Sequence, residues 1–247
     1  MYKFLLLFAA IALYVPQLVC ADTADPYPCH RVNGEITVDG RLDEPAWQKA
    51  PKVELMIPVT NETPFGKTEG RIVWDDKYIY VGFKAYDKDI WSYYKTRDEL
   101  VCFEDCLEFF FTTKPGSEPY FNFEINVLGT LYDAYNIKRD AGGGDAKHHR
   151  WSNWNCKGVK TAIQMSGTLN KHEDQDKYWQ LELAVPLAEL PTLNGGTPKM
   201  GDTWAFHVAR YDYSIYLAEG FELSSSARLS ALQFHALEEW PQLRFVQ

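Results

Sequence analysis

Beyond its first twenty residues this 247-residue chain has no apolar stretch near the ~20 residues that a membrane-spanning helix needs, so no transmembrane span is expected. Helical periodicity is also missing: no long segment repeats apolar residues every three or four positions, which argues against an all-α or α/β fold. There is no Gly-x-Ser-x-Gly, no His-Glu-x-x-His and no phosphate-binding loop. A glycan-active hydrolase would need two carboxylates at a defined separation, which a sequence does not display, so catalysis is the less favoured expectation. Basic side chains are in deficit, 25 Lys and Arg against 34 Asp and Glu, for a formal charge of −9. That balance argues against nucleic acid or anionic membrane as a partner and leaves neutral glycans, cations and proteins open. No internal repeat or domain linker is visible.

The chain opens with Lys3, the apolar run Phe4 to Val15, and Val19-Cys20-Ala21 before Asp22. This is the order of a secretory signal peptide, with the run too short to span a bilayer. Residues 1–21 are therefore expected to be a leader and residues 22–247 a single exported domain, secreted or periplasmic. A lipid anchor on Cys20 is the second reading, disfavoured because Gln17 and Val19 stand where a lipoprotein signal needs a leucine and a small residue. Four cysteines follow the leader: Cys29, Cys102, Cys106 and Cys156. In an oxidising compartment they predict two disulfides of open connectivity. A zinc site is the competing reading, but no Cys-x-x-Cys or His-x-x-x-His pattern accompanies them.

Strand signals dominate the rest. Arg71 to Trp74, the polar turn Asp75-Asp76-Lys77 and Tyr78 to Tyr86 read as a hairpin. Leu107 to Thr112, Tyr120 to Val127, Val159 to Met165, Trp179 to Val185 and Trp204 to Ala209 are further runs, most bounded by Gly, Pro, Asn or Asp. Leu187 to Leu190, after Pro186, suits one helical turn. The fold class predicted is all-β: a single-domain, two-sheet antiparallel β-sandwich of jelly-roll-like or immunoglobulin-like topology.

The most specific string is Ile36-Thr37-Val38-Asp39-Gly40-Arg41-Leu42-Asp43-Glu44-Pro45-Ala46-Trp47. It reads as a short strand at Ile36 to Val38, an Asp-Gly turn, and a helical turn opened by Pro45 that delivers Trp47. It resembles the opening motif of carbohydrate-binding module family 9-like domains, which are extracellular β-sandwiches. Further motifs follow in the family's order: Trp74 to Tyr86, Asp105-Cys106-Leu107-Glu108, Tyr120 to Asn126 with Gly129, Trp179 to Pro186, Gly201 to Arg210, and Phe234-His235 with Trp240 to Phe245. The resemblance implies non-catalytic binding of plant or algal polysaccharide or its fragments, with separate glycan-degrading enzymes as possible partners.

In sugar-binding members of that family the ligand lies between two tryptophans. Here the first place falls at Cys102 or Phe103, and the second falls around Phe221 to Ser224, which hold no tryptophan. The implied binding face comprises Phe103, Glu108, Glu124, Asn126 and Arg210. Trp151 and Trp154, behind the glycine-rich stretch Asp140 to Arg150, are expected to close over it; the alternative is that they anchor the loop to the core. No cofactor is expected, apart from structural calcium, which members of the family can bind; Asp75, Asp76, Asp87 and Asp89 are oxygen donors in turns without an ordered calcium loop. The alternative of a haem b electron-transfer sandwich would draw axial ligands from Met56, Met165 and Met200 and from His30, His148, His149, His172, His207 and His235.

Overall fold

The computed structural model describes residues 25–140, 147–150 and 154–247. The expected leader with Cys20, the glycine-rich residues 141–146, and Trp151 lie outside the described residues, as do the side chains of His148 and His149. The strands are β1 (Tyr27–Arg31), β2 (Val53–Glu54), β3 (Thr68–Trp74), β4 (Tyr78–Tyr86), β5 (Cys106–Thr112), β6 (Tyr120–Asn126), β7 (Leu131–Asp140), β8 (Lys147–Arg150), β9 (Lys160–Ser166), β10 (Tyr178–Pro186), β11 (Thr203–Tyr213), β12 (Phe221–Ser225) and β13 (Gln242–Val246). A short helix, α1 (Pro45–Lys49), starts at Pro45.

Hydrogen-bonded pairing runs in the order β8-β7-β6-β5-β11-β13-β1-β3-β4-β10-β9, with β12 on β11 and β2 on β3. This path folds over on itself as a β-sandwich, with β13 and β1 joining the two halves. Pairing is antiparallel except at the join, where β1 lies parallel to both β13 and β3. The sheet is therefore mixed, a refinement of the antiparallel expectation.

Alternation explains the core. Leu107, Phe109 and Phe111 of β5, Phe121, Phe123 and Ile125 of β6, and Trp204, Phe206 and Val208 of β11 point inward to meet Ile72, Val81, Phe83, Leu181 and Leu183 of the other half. The outer faces are covered as well. Segment 227–240 packs Ala227, Leu229, Phe234 and Trp240 on Phe110 and Ala209, while residues 32–50 pack Val32 and Trp47 on Val73, Tyr80 and Ala184. Strands covered on both sides read as continuous apolar runs, which is why the sequence marks them so clearly.

The opening motif forms its turn, with Gly40 at φ +84°. Glu182 locks it: one carboxylate oxygen accepts Asp39 and Gly40 N–H at 2.8 Å each, and the other accepts Trp47 Nε1–H at 2.8 Å. Residues 36–38 form no strand; Ile36 and Val38 pack as partly buried side chains onto the outer cluster.

The four cysteines are free thiols in the structure, against the expectation of two disulfides. Cys29 and Cys156 lie in the inter-sheet core, whereas Cys106 shares the outer face of β5 with Glu108. The sheet itself separates these two sets.

Candidate functional site

The alternation that sends Phe109 inward turns Cys106, Glu108 and Phe110 outward, and the same rule turns Asn122, Glu124 and Asn126 of β6 outward. Register places Glu108 directly opposite Glu124, and on its other side next to Ala209 of β11. The small Ala209 leaves space above this pair, and Tyr211 flanks it. Leu223 of β12, residues 232–235 and Cys102 complete the lining of a pocket of about 180 Å³.

The pocket's chemistry is that of acceptors. Asn122 donates to Glu124 Oε1 at 2.7 Å, but Glu108 Oε2 has no hydrogen-bond partner, although Glu108 is only 2% exposed. Burial, and then the facing Glu124, push the Glu108 carboxyl well above the ordinary carboxylate range. The Cys102 thiol is pushed up to about 12 by burial and by both glutamates. His235 lines the far wall, its Nδ1 2.9 Å from the Tyr120 hydroxyl.

A second hollow, of about 290 Å³, adjoins the first across the 3-10 turn Val101–Phe103. Consecutive residues separate them: Cys102 lines the pocket, and Phe103 lines the hollow with Trp91, Tyr93, Tyr213 and Ile215. Phe103 is 63% exposed and Tyr93 60%, so aromatic faces are open to solvent beside the carboxylates. The Tyr213 hydroxyl donates to the Cys102 carbonyl at 3.1 Å and ties the turn to β11. The sequence marked Phe103 here but not Trp91, Tyr93 or Tyr213, whose approach depends on the 3-10 turn.

Of the residues expected on the binding face, the structure brings Glu108 and Glu124 together in the pocket and sets Phe103 beside it. Asn126 is fully buried and engaged, donating to Tyr94 O and Glu104 Oε1 and accepting from Thr130 N–H. Arg210 does not reach this face. It shares the inward side of β11 with Val208, donates to Gly66 O and Tyr86 O, and pairs with Asp87 at 2.8 Å and Asp212 at 3.1 Å. Trp154 is partly buried and packs against the core at Phe121, Phe123 and Tyr135, with ring centroids 5.5 to 6.2 Å apart. Its companion Trp151 lies outside the described residues.

The remaining candidates are dispersed. Asp75 accepts the Lys77 and Tyr78 N–H groups of its own turn and the Tyr80 hydroxyl, and Asp76 pairs with Arg31. Asp87 holds Arg210, and Asp89 accepts Ile215 N–H. Met165 and Met200 are exposed, and Met56 bridges by its backbone to Ser225. His30 bonds to Gln247 O, His172 stacks on Trp91, and both ring nitrogens of His207 are engaged within the protein.

A β-sandwich with a small acceptor pocket and an adjoining aromatic shelf has the form of a binding module for polyhydroxylated ligands. Carbohydrate-binding family 9 matches residues 43–190, more than half of the chain, and the chain belongs to that family. Solved structures agree in fold. A protein from Bacteroides uniformis, described as a candidate carbohydrate-binding protein, aligns with TM-score 0.62 at 17% identity over 88% of this chain and 97% of its own. A family 9 module from Caldicellulosiruptor kristjanssonii in complex with cellotriose aligns with TM-score 0.59 at 13% identity, over 89% and 93% of the two chains. The same organism's family 9 module in complex with glucose gives 0.57 at 14% identity, over 88% and 95%. No curated protein matches the chain.

Proposed function

We propose that this protein binds carbohydrate non-catalytically, with Glu108 and Glu124 as the polar floor of the site and Phe103 on the adjoining aromatic shelf. The observation that carries the reading is the cross-strand Glu108–Glu124 pair, which opens into a pocket beside exposed aromatic faces in a family 9 fold. Sugar hydroxyls are donors as well as acceptors, so the carboxylate oxygens of this pair, Glu108 Oε2 among them, suit them. The apolar side of a pyranose ring suits Phe103 and Tyr93. The pocket is smaller than the ~300–1,000 Å³ of a drug-sized site, which fits a single ring or chain end, with the next ring laid along the shelf. The loss of the tryptophan pair at Cys102 and around Phe221 means that stacking comes from one side only.

Export is part of the proposal. Its support is the leader-like order of residues 1–21, and no described helix is long and apolar enough to cross a membrane. Separate glycan-degrading enzymes would be the natural companions of a module with no catalytic signature of its own. A glycan array followed by calorimetry tests the reading. Binding to a defined glycan class, weakened in Glu124→Gln, is expected; an array without a hit at millimolar glycan would remove the proposal.

A further inference from the structure

A third hollow, of about 300 Å³, lies beyond the aromatic shelf, at the end of the sandwich where β4 and β11 finish and β3 and β10 begin. Phe65, Tyr86, Lys88, Lys177 and Asp212 line it. Ser214 lines it too, and the same serine lines the shelf hollow. Small and buried, Ser214 raises no wall between the two. Pocket, shelf and third hollow therefore follow one another, joined first at Cys102 and Phe103 and then at Ser214.

Four chain segments are tied together to make this hollow. Phe65 N–H donates to Glu222 Oε1 at 2.8 Å, and the Gly66 carbonyl accepts from Arg210 Nη1 at 3.1 Å. A Cβ at Gly66 would collide with Asp212 and Arg210, so only glycine lets the chain lie directly on that ion pair. Asp87 N–H donates to Lys177 O at 3.2 Å, and Asp176 N–H donates to Lys88 O at 3.0 Å. A hollow held open in this way is preorganised, and a ligand entering it meets little ordering cost.

Its carboxylates are engaged within the protein. Asp87 accepts from Asp89 N–H and Arg210, Asp176 accepts from Ile90 and Thr168 N–H, and Asp212 pairs with Arg210. Lys88 and Lys177, by contrast, are exposed, and neither makes an ion pair among the described residues. Lys88 Nζ lies over the Phe65 ring, 4.8 Å from its centroid. Phe65 is 49% exposed and Tyr86 41%. Aromatic surface beside ammonium donors is a pairing that a pyranose fits, its C–H face against a ring and its oxygens accepting from lysine.

We propose that the hollow at Phe65, Tyr86, Lys88 and Lys177 is a further sugar subsite, and that the ligand is an oligosaccharide of three or more rings running from the Glu108–Glu124 pocket across Phe103 to Phe65. The inference rests on the carbohydrate reading and extends it. Pocket and shelf hold two rings, and the hollow beyond Ser214 holds the third.

The test is calorimetry on the full chain with a size series of free oligosaccharides, one to five sugars long, in the backbone linkage of the strongest array glycan. Affinity should rise about 3- to 10-fold from two sugars to three, the worth of one aromatic contact. Phe65→Ala should abolish that rise while leaving disaccharide affinity within twofold of the parent. Lys88→Met, which keeps the stem over Phe65 and removes the ammonium, should reduce it, and melting curves check that both variants are folded. Equal parent affinity for two and three sugars, or a rise that survives intact in both folded variants, overturns the subsite and leaves the carbohydrate reading standing. An array without a hit removes both.

Discussion

Trp154 and His207 show how far a residue's type can mislead about its role. Trp154 follows the glycine-rich segment and invites reading as a ligand-closing lid, yet its ring lies among Phe121, Phe123 and Tyr135. Trp154→Ala should therefore cost about 2–4 kcal/mol of stability, near the range for removing large core aromatics, with glycan affinity within twofold of the parent. Urea denaturation and calorimetry on the same variant check both halves. His207 is a buried imidazole with Nδ1 3.1 Å from Phe234 O and Nε2 2.8 Å from Ser225 Oγ. Burial lowers its pKa from 6.5 to about 3. Between those values the unfolded chain binds the extra proton, so this stabilisation is complete above pH ~6.5 and drains away as pH falls towards 3, at up to about 1.4 kcal/mol per unit. Denaturation at pH 7 and pH 5 should show the parent losing about 2 kcal/mol more than His207→Gln; parallel losses would refute the assignment.

At the scale of elements, one buried carboxylate and one buried guanidinium tie segments together. Glu182 of β10 is the sole acceptor shown for Asp39 N–H, Gly40 N–H and Trp47 Nε1–H, so Glu182→Leu would orphan three donors. A loss of about 2–4 kcal/mol is expected, read as a shift of the urea midpoint. Arg210 clamps β11 to Gly66 and Tyr86 on the opposite half, with Asp87 and Asp212 as partners. Arg210→Met should cost about 3–5 kcal/mol by leaving buried carboxylates uncompensated, while disaccharide affinity in the folded fraction stays unchanged.

Elements were legible where local chemistry decides them. The hairpin of β3 and β4, the strands β5, β6, β9, β10 and β11, the Asp39-Gly40 turn and the helical turn at Pro45 all follow from alternation, turn residues or proline. Ile36 to Val38 alternate as a strand should but have no ladder to join, and the parallel placement of β1 depends on a partner more than two hundred residues away in β13. Glu108 and Glu124 could be placed on neighbouring strands because both sit in strands with clear alternation. Arg210 could not be assigned a side, because an inward-facing arginine is tolerated only by the three aspartates that tertiary structure gathers around it.

The whole molecule is one folded-over sheet whose inner faces make the core and whose outer faces are covered by the chain's own segments. Where Leu223 and residues 232–235 stand over β5, β6 and β11, that cover leaves a pocket lined by the Glu108–Glu124 pair, and the aromatic shelf adjoins it. The fold alone does not select this position, since the opposite outer face is filled by Trp47 and its neighbours. The measurement that tests the central claim most directly is calorimetric affinity for the strongest array glycan in the parent and in Glu124→Gln. Losing a charge-assisted hydrogen bond of about 1.5–3 kcal/mol predicts affinity about 10- to 100-fold weaker, with the melting temperature unchanged or raised. Unaltered affinity in the folded variant would contradict the placement of the carbohydrate site in this pocket.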